Sequence, residues 1–228
     1  MRALSLISLV LLLVVVHARY GQHRPIRQRY LVPPGLTSDG RQCPVTNGCV
    51  RVPTLNDVIT IGQFQSEMSG RRYYVIYRID HVPLGVLNRQ ESVFTLEGNT
   101  VYGALKARTQ DGMCVNIPRS EIGTLSSNTH AVLIKDDFSF FGVPGTHSPI
   151  FYFISDNPSQ YQILFVCIDR FSIRNGVCEG QYFLDIGVTQ DPPNSPPYYE
   201  IELVLRRTFG LSLSDHLNVY QYIGMACP

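Results

Sequence analysis

Tryptophan is absent from the 228 residues, and neither sign of charge dominates: 19 Lys plus Arg stand against 18 Asp plus Glu. That balance excludes bulk electrostatic attraction to nucleic acid or to an acidic membrane surface. No Cys-x-x-Cys pair occurs and the six histidines are scattered, so no zinc-ligand spacing exists and no metal is expected. Gly-x-Ser-x-Gly and His-Glu-x-x-His are missing too. His81 follows Asp80, but adjacency along a chain is not catalytic geometry, and no catalytic residue is assigned. No repeat of fixed period appears. No Asn-x-Ser/Thr acceptor survives either, because Asn157-Pro158-Ser159 carries the excluded proline.

Long hydrophobic runs are lacking except at the start. There Arg2 precedes a greasy stretch from Leu4 to Val16 and a small-residue exit at Ala18. A charged start, a short apolar core and a small-residue exit describe a secretory signal peptide, residues 1–18, too short to cross a bilayer comfortably. Loss of Arg2 with it leaves the mature chain formally neutral. The expectation is a secreted, extracellular protein without stable membrane insertion. Residues 19–42 hold five arginines, one acid (Asp39) and "VPPGL", a flexible basic leader. The remainder, 43–228, is long enough for one domain with its own core.

Six cysteines, Cys43, Cys49, Cys114, Cys167, Cys178 and Cys227, all lie in the mature part. An even number in an oxidising compartment reads as three disulfides, without fixing their connectivity. From Arg71 onward, apolar stretches alternate with turn signals such as "EGN" (97–99), "DG" (111–112) and "GVPGTHSP" (142–149). Strands are expected at about 72–79, 90–96, 100–108, 112–117, 129–136, 149–155, 160–169 and 198–208. Alternation is clearest in the last, with Ile201, Leu203 and Leu205 on one face and Glu200 and Glu202 on the other. Helical periodicity is confined to Leu213–Tyr222. Eight short strands fit an all-β barrel or a sandwich.

Motifs favour the barrel. The stretch "GQFQSEMSGRRYYVIYRID" (Gly62–Asp80) resembles the first signature of the lipocalins, a phenylalanine followed after a short turn by Gly-x-Trp-Tyr-x-Ile-Ala-Arg. Phe64, Tyr74, Ile76 and Arg78 match, Tyr73 takes the tryptophan place, and Gly70 is displaced by one. "SDNPSQYQILFVCID" (155–169) is similar to a segment of the branch containing apolipoprotein D, crustacyanin and the bilin-binding proteins, through Asp156, Tyr161 and Cys167. "LRRTFGLS" (205–212) resembles the Leu-Ser-Arg-Ser that ends the family's last strand, with Arg207 in the arginine place.

The resemblance implies an eight-stranded antiparallel up-and-down barrel with a short C-terminal helix. The stretch 170–197, which holds Cys178 and an extra strand-like piece at Tyr182–Val188, would then be a long insertion before the last strand. It implies that Tyr73 plugs the barrel base with Arg207 lying across it. Cys167 should reach Cys43 or Cys49; the cysteine that the family has after its first strand is absent from "VLNRQESVF", so Cys227 needs another partner, for which Cys114 is the candidate. With Tyr73 inward, strand alternation places Val75, Tyr77, Gln162, Leu164, Val166, Ile201, Leu203 and Leu205 in the lumen. The implied function is transport of a small hydrophobic ligand, a lipid or a pigment such as a bilin or carotenoid, by a non-enzymatic carrier. The competing reading is a structural or interaction protein, or an inhibitor, using 170–197 to meet a protein partner or a second copy.

Overall fold

The computed structural model describes residues 37, 39, 41–42, 49–80, 87–109, 112–140, 143–190, 196–215 and 227. The expected signal segment, most of the leader, Cys43, His81 and the expected terminal helix beyond Asp215 lie outside them. In chain order the elements are β1 (Val50–Arg51), α1 (Ile61–Gln63) running into a π-helical turn (Phe64–Met68), β2 (Arg72–Asp80), β3 (Leu87–Glu97), β4 (Thr100–Thr109) and β5 (Cys114–Leu125). They continue as β6 (Val132–Ile134), β7 (Ile150–Ile154), β8 (Tyr161–Cys167), β9 (Ile173–Arg174), β10 (Val177–Cys178), β11 (Tyr182–Val188) and α2 (Tyr198–Phe209).

Eight of the strands close into an antiparallel barrel in the order β11-β2-β3-β4-β5-β6-β7-β8. Neighbours in the barrel are neighbours in the chain except at the closure, where β11 sits between β8 and β2. A separate three-stranded sheet joins β1, β10 and β9. Its β9–β10 hairpin turns on Asn175-Gly176, both at positive φ (46° and 77°), the pair a two-residue turn of this hand requires.

The expected strand 198–208 is a helix. Its buried residues, Ile201, Val204, Leu205, Thr208 and Phe209, follow the i, i+3, i+4, i+7, i+8 spacing of one helical face. The alternating set at Ile201 and Leu205 is also an i, i+4 pair, so it satisfied the strand pattern, while Leu203 is half-exposed. Pro196-Pro197 precedes the helix, and Gly210 closes it at φ 71° with its N–H donating to the Arg206 and Leu205 carbonyls. Burying four large apolar side chains at roughly 1.5–3 kcal/mol each outweighs any strand propensity.

The eighth barrel strand is therefore β11, inside the stretch read as an insertion. Its register to β8 runs without a break from Tyr182↔Cys167 to Val188↔Tyr161. α2 lies outside the barrel across β8, β11 and β2. Phe209 meets Phe165 of β8 at 5.3 Å between ring centroids, and Tyr198 meets Tyr77 of β2 at 6.1 Å.

Cys227 pairs with Cys114 as expected. Cys167 does not reach the N-terminal cysteines; it pairs with Cys178 and ties β8 to β10. Cys49 is also disulfide-bonded.

Candidate functional site

One end of the barrel is closed by the chain before β2. The Ile59 N–H donates to the Phe153 carbonyl at 3.0 Å and the Ile61 N–H to the Thr129 carbonyl at 2.9 Å, which draws α1 across that end. Thr60 and Gln63 cap it reciprocally: Gln63 N donates to Thr60 Oγ1 at 3.2 Å and Thr60 N to Gln63 Oε1 at 3.0 Å. The π-helical turn then presents Phe64 inward. Phe153 packs edge-on against both Phe64 and Phe94, at 5.0 and 5.1 Å. Tyr73 is fully buried beside them, and its hydroxyl donates to the Pro158 carbonyl. Burial pushes its phenol pKa well above the ordinary value. Gly187 makes room for it, since a Cβ there would lie 3.0 Å from the Tyr73 Cβ.

Above this floor lies a cavity of about 280 Å³. Its greasy wall includes Phe94, Leu105, Ile117, Ile122, Phe151 and Leu164. The connection between β6 and β7 folds over the far end, where Phe138 and His147 exchange backbone hydrogen bonds at 2.9 Å. From it Phe140 packs edge-on at 5.9 Å against Phe183 of β11, and Phe138 meets Phe151 of β7 at 5.7 Å.

A buried ionic group interrupts the apolar lining. Arg78 Nε donates to Asp185 Oδ1 at 2.5 Å and Nη2 to Oδ2 at 2.8 Å. Nη2 also donates to Gln90 Oε1 at 2.7 Å, and Gln90 Nε2 donates to Asp185 Oδ2 at 3.1 Å. All three side chains are buried and line the cavity. Backbone pairing of β2 with β3 covers Arg72–Tyr74; beyond it the Arg78–Gln90 bond links the two strands. Such a pair withstands desolvation only with this degree of hydrogen bonding.

Of the residues expected in the lumen, Gln162 and Leu164 line the cavity. Val166 pairs with Phe151 and Phe183 and so shares their inward face. Tyr73 is buried at the closed end, and Val75 is buried in a separate small cluster with Ala107 and Leu105. Tyr77 is a correction. The register of β11 to β2 shifts between Ile186 and Gly187, so one extra β2 residue is accommodated and the facing inverts. Tyr77 therefore faces Tyr198 outside, and Arg78 faces in. Ile201, Leu203 and Leu205 leave the lumen altogether, because α2 lies outside the barrel. Arg207 is a further correction. It does not lie across Tyr73 but makes a bidentate ion pair with Asp156, with Nη1 to Oδ2 at 2.7 Å.

Alternation in sequence missed Arg78 because a bulge carries no composition signal. Asp185 had one: it is the lone acid in "YFLDIGV", a run buried throughout.

No family model and no curated protein matches the chain. Solved structures it resembles include apocrustacyanin C2, at 11% identity over 73% of this chain and 87% of that one, TM-score 0.47. Apocrustacyanin C1 resembles it at 15% identity over 79% and 93%, also TM-score 0.47. H1 crustacyanin from the lobster Homarus americanus does so at 11% over 74% and 87%, TM-score 0.43. The likeness is one of fold.

Proposed function

We propose that this protein is a secreted carrier holding one small hydrophobic molecule inside its barrel. The observation that carries the reading is the cavity itself: a closed floor, a largely apolar wall and a few convergent polar groups are what a small-molecule site requires. Eight strands is also the barrel size that either fills its interior or holds one small ligand. The disulfides agree with an extracellular setting, as does the apolar stretch at residues 4–16. The reading assigns no catalytic step.

Size narrows the ligand. A cavity of about 150 Å³ accepts benzene, so 280 Å³ has room for about eleven non-hydrogen atoms on the same scale. A compact lipid fragment or bicyclic compound is enclosed whole. A long carotenoid or an extended bilin would protrude past the Phe138–Phe140 connection. Pigment transport is the less favoured form of the reading for that reason.

Two measurements test it. Protein from its native source is extracted and the organic phase analysed by mass spectrometry, and the stripped protein is titrated with fluorescent 2-naphthol. The carrier reading expects a ligand at near-stoichiometric yield, saturable naphthol uptake, and loss of uptake when Ile117→Trp fills the cavity. A folded protein that yields no ligand and takes up no naphthol sinks it.

A further inference from the structure

We propose that the cavity takes a compact uncharged molecule by its carbonyl group, seating the oxygen against Gln162 and Ser92 beside the closed floor. This rests on the carrier reading above and adds the chemical class of the ligand.

The first observation is an amide that holds nothing in the protein. Gln162 is 1% exposed and lines the cavity. Its Oε1 is shut away without a hydrogen-bond partner, and among the described residues no group accepts from its Nε2, the amide atom left open. Position 187 is glycine, and a Cβ there would stand 3.5 Å from Nε2. The missing side chain keeps the space beside the N–H group clear. A buried amide bonded to no protein group costs stability. What it provides is a donor for a molecule in the cavity.

The second is a hydroxyl at the same level. Ser92 is 5% exposed and lines the cavity, and among the described residues its Oγ makes no hydrogen bond. Gln162 pairs with Gly187 across β8 and β11, and Tyr73 pairs with Ser92 across β2 and β3. Gly187 abuts Tyr73, where an added Cβ would lie 3.0 Å from the tyrosine Cβ. The two donors therefore stand on either side of Gly187 and Tyr73, next to the floor. From Ser92 the row continues into Leu105 and Ile117, both apolar. A carbonyl oxygen has two lone pairs and brings no proton of its own, so it can accept from both donors.

The third is charge. The Arg78 guanidinium and the Asp185 carboxylate already neutralise each other through two hydrogen bonds. A ligand carboxylate would lose its water without gaining a free counterion. Gln162 and Ser92 are neutral donors, and a neutral carbonyl reaches them at a smaller desolvation cost. A site with donors placed this way favours a ligand that pairs them over an isostere that leaves them bare.

Three compounds of ten non-hydrogen atoms test this: 1-indanone, 1-methyleneindane and phenylacetate, titrated by calorimetry at neutral pH into the full mature protein. The ketone and the alkene share one shape and differ only in the acceptor. Indanone is expected to bind about tenfold more tightly than methyleneindane, the worth of one buried hydrogen bond, and phenylacetate more weakly than indanone. In Gln162→Met the ketone-to-alkene ratio should fall several-fold. In Gln162→Met/Ser92→Ala the two affinities should converge to within about twofold, through loss at the ketone while alkene binding persists. If Gln162→Met fails to fold, Gln162→Leu provides the same comparison. A ratio unchanged in the glutamine variant would overturn the proposal. Equal binding of ketone and alkene to the wild type, or tightest binding of phenylacetate, overturns the carbonyl inference and leaves the carrier reading standing. Binding of none overturns both.

Discussion

Arg78 and Asp185, 107 residues apart in sequence, share a bidentate ion pair on the inner wall of the barrel. Their side chains are each only 6% exposed. Removing one partner strands the other charge in a poorly hydrated interior. Asp185→Leu should therefore cost about 3–5 kcal/mol of unfolding free energy in a denaturant titration. The double variant Arg78→Met/Asp185→Leu should recover most of that loss, because it removes both charges and keeps comparable volume. A double variant no better than the single would mean that the pair is not where the cost arises.

Arg207 and Tyr73 meet the same turn from different sides without acting as a pair. Arg207 holds Asp156, and Tyr73 donates to the Pro158 carbonyl two residues on. Arg207→Ala is expected to cost about 0.5–1 kcal/mol, given that both ionic partners are substantially solvated. Tyr73→Ala should cost about 3–5 kcal/mol as a large buried ring is removed. In double-mutant cycles Arg207 should couple to Asp156 and add independently to Tyr73; coupling to Tyr73 instead would restore the stacking arrangement.

Acid should loosen the end of α2. Burial raises the Glu202 pKa, but the Leu213 N–H, the Ser212 hydroxyl and Arg206 together outweigh it, leaving the carboxyl below its ordinary value. Glu202 Oε2 accepts from Leu213 N and Oε1 from Ser212 Oγ, both at 2.7 Å. A folded-state pKa below the unfolded one contributes stability that is complete above about pH 4.5 and is lost as pH falls through the depressed value. The stability gap between wild type and Glu202→Gln should be constant from neutrality to about pH 5 and shrink below about 4.5. A gap that widens in acid would reverse the sign assigned here.

The two located disulfides should differ in worth. Cys167–Cys178 spans 11 residues and Cys114–Cys227 spans 113. On chain entropy alone these correspond to about 3 and about 4.7 kcal/mol. Paired Cys→Ala replacements followed by thermal melts should show the larger drop for Cys114/Cys227; the opposite order would locate the stabilisation in native packing around β8 and β10.

Seven of the eight barrel strands could be read from runs of apolar residues between turn signals, because pleat and turn chemistry are local. The eighth was misplaced where two periods coincide: Ile201 and Leu205 satisfy both a two-residue and a 3.6-residue repeat, and only packing against Phe165 decides. The flanking Pro197 and Gly210 were the available helix signals. In the site, Gln162 and Leu164 followed from alternation because β8 is regular along its length. Arg78 escaped because the bulge opposite Ile186 and Gly187 inverts β2 between the matched tyrosine and the matched arginine. The Cys167–Cys178 bond was misassigned because the family pattern presupposes a short connection after β8, whereas here β9 and β10 bring Cys178 back alongside.

The Cys114–Cys227 bond gives the molecule a topology that its strand order alone does not have. β5 through β11 and α2 all fall between the two cysteines, inside one covalent ring, with the Cys167–Cys178 ring nested within it. A protease that nicks any single connection in that ring leaves every fragment attached. The cut becomes visible on a gel only after reduction, so the chain can be clipped once there and still keep its barrel on one molecule.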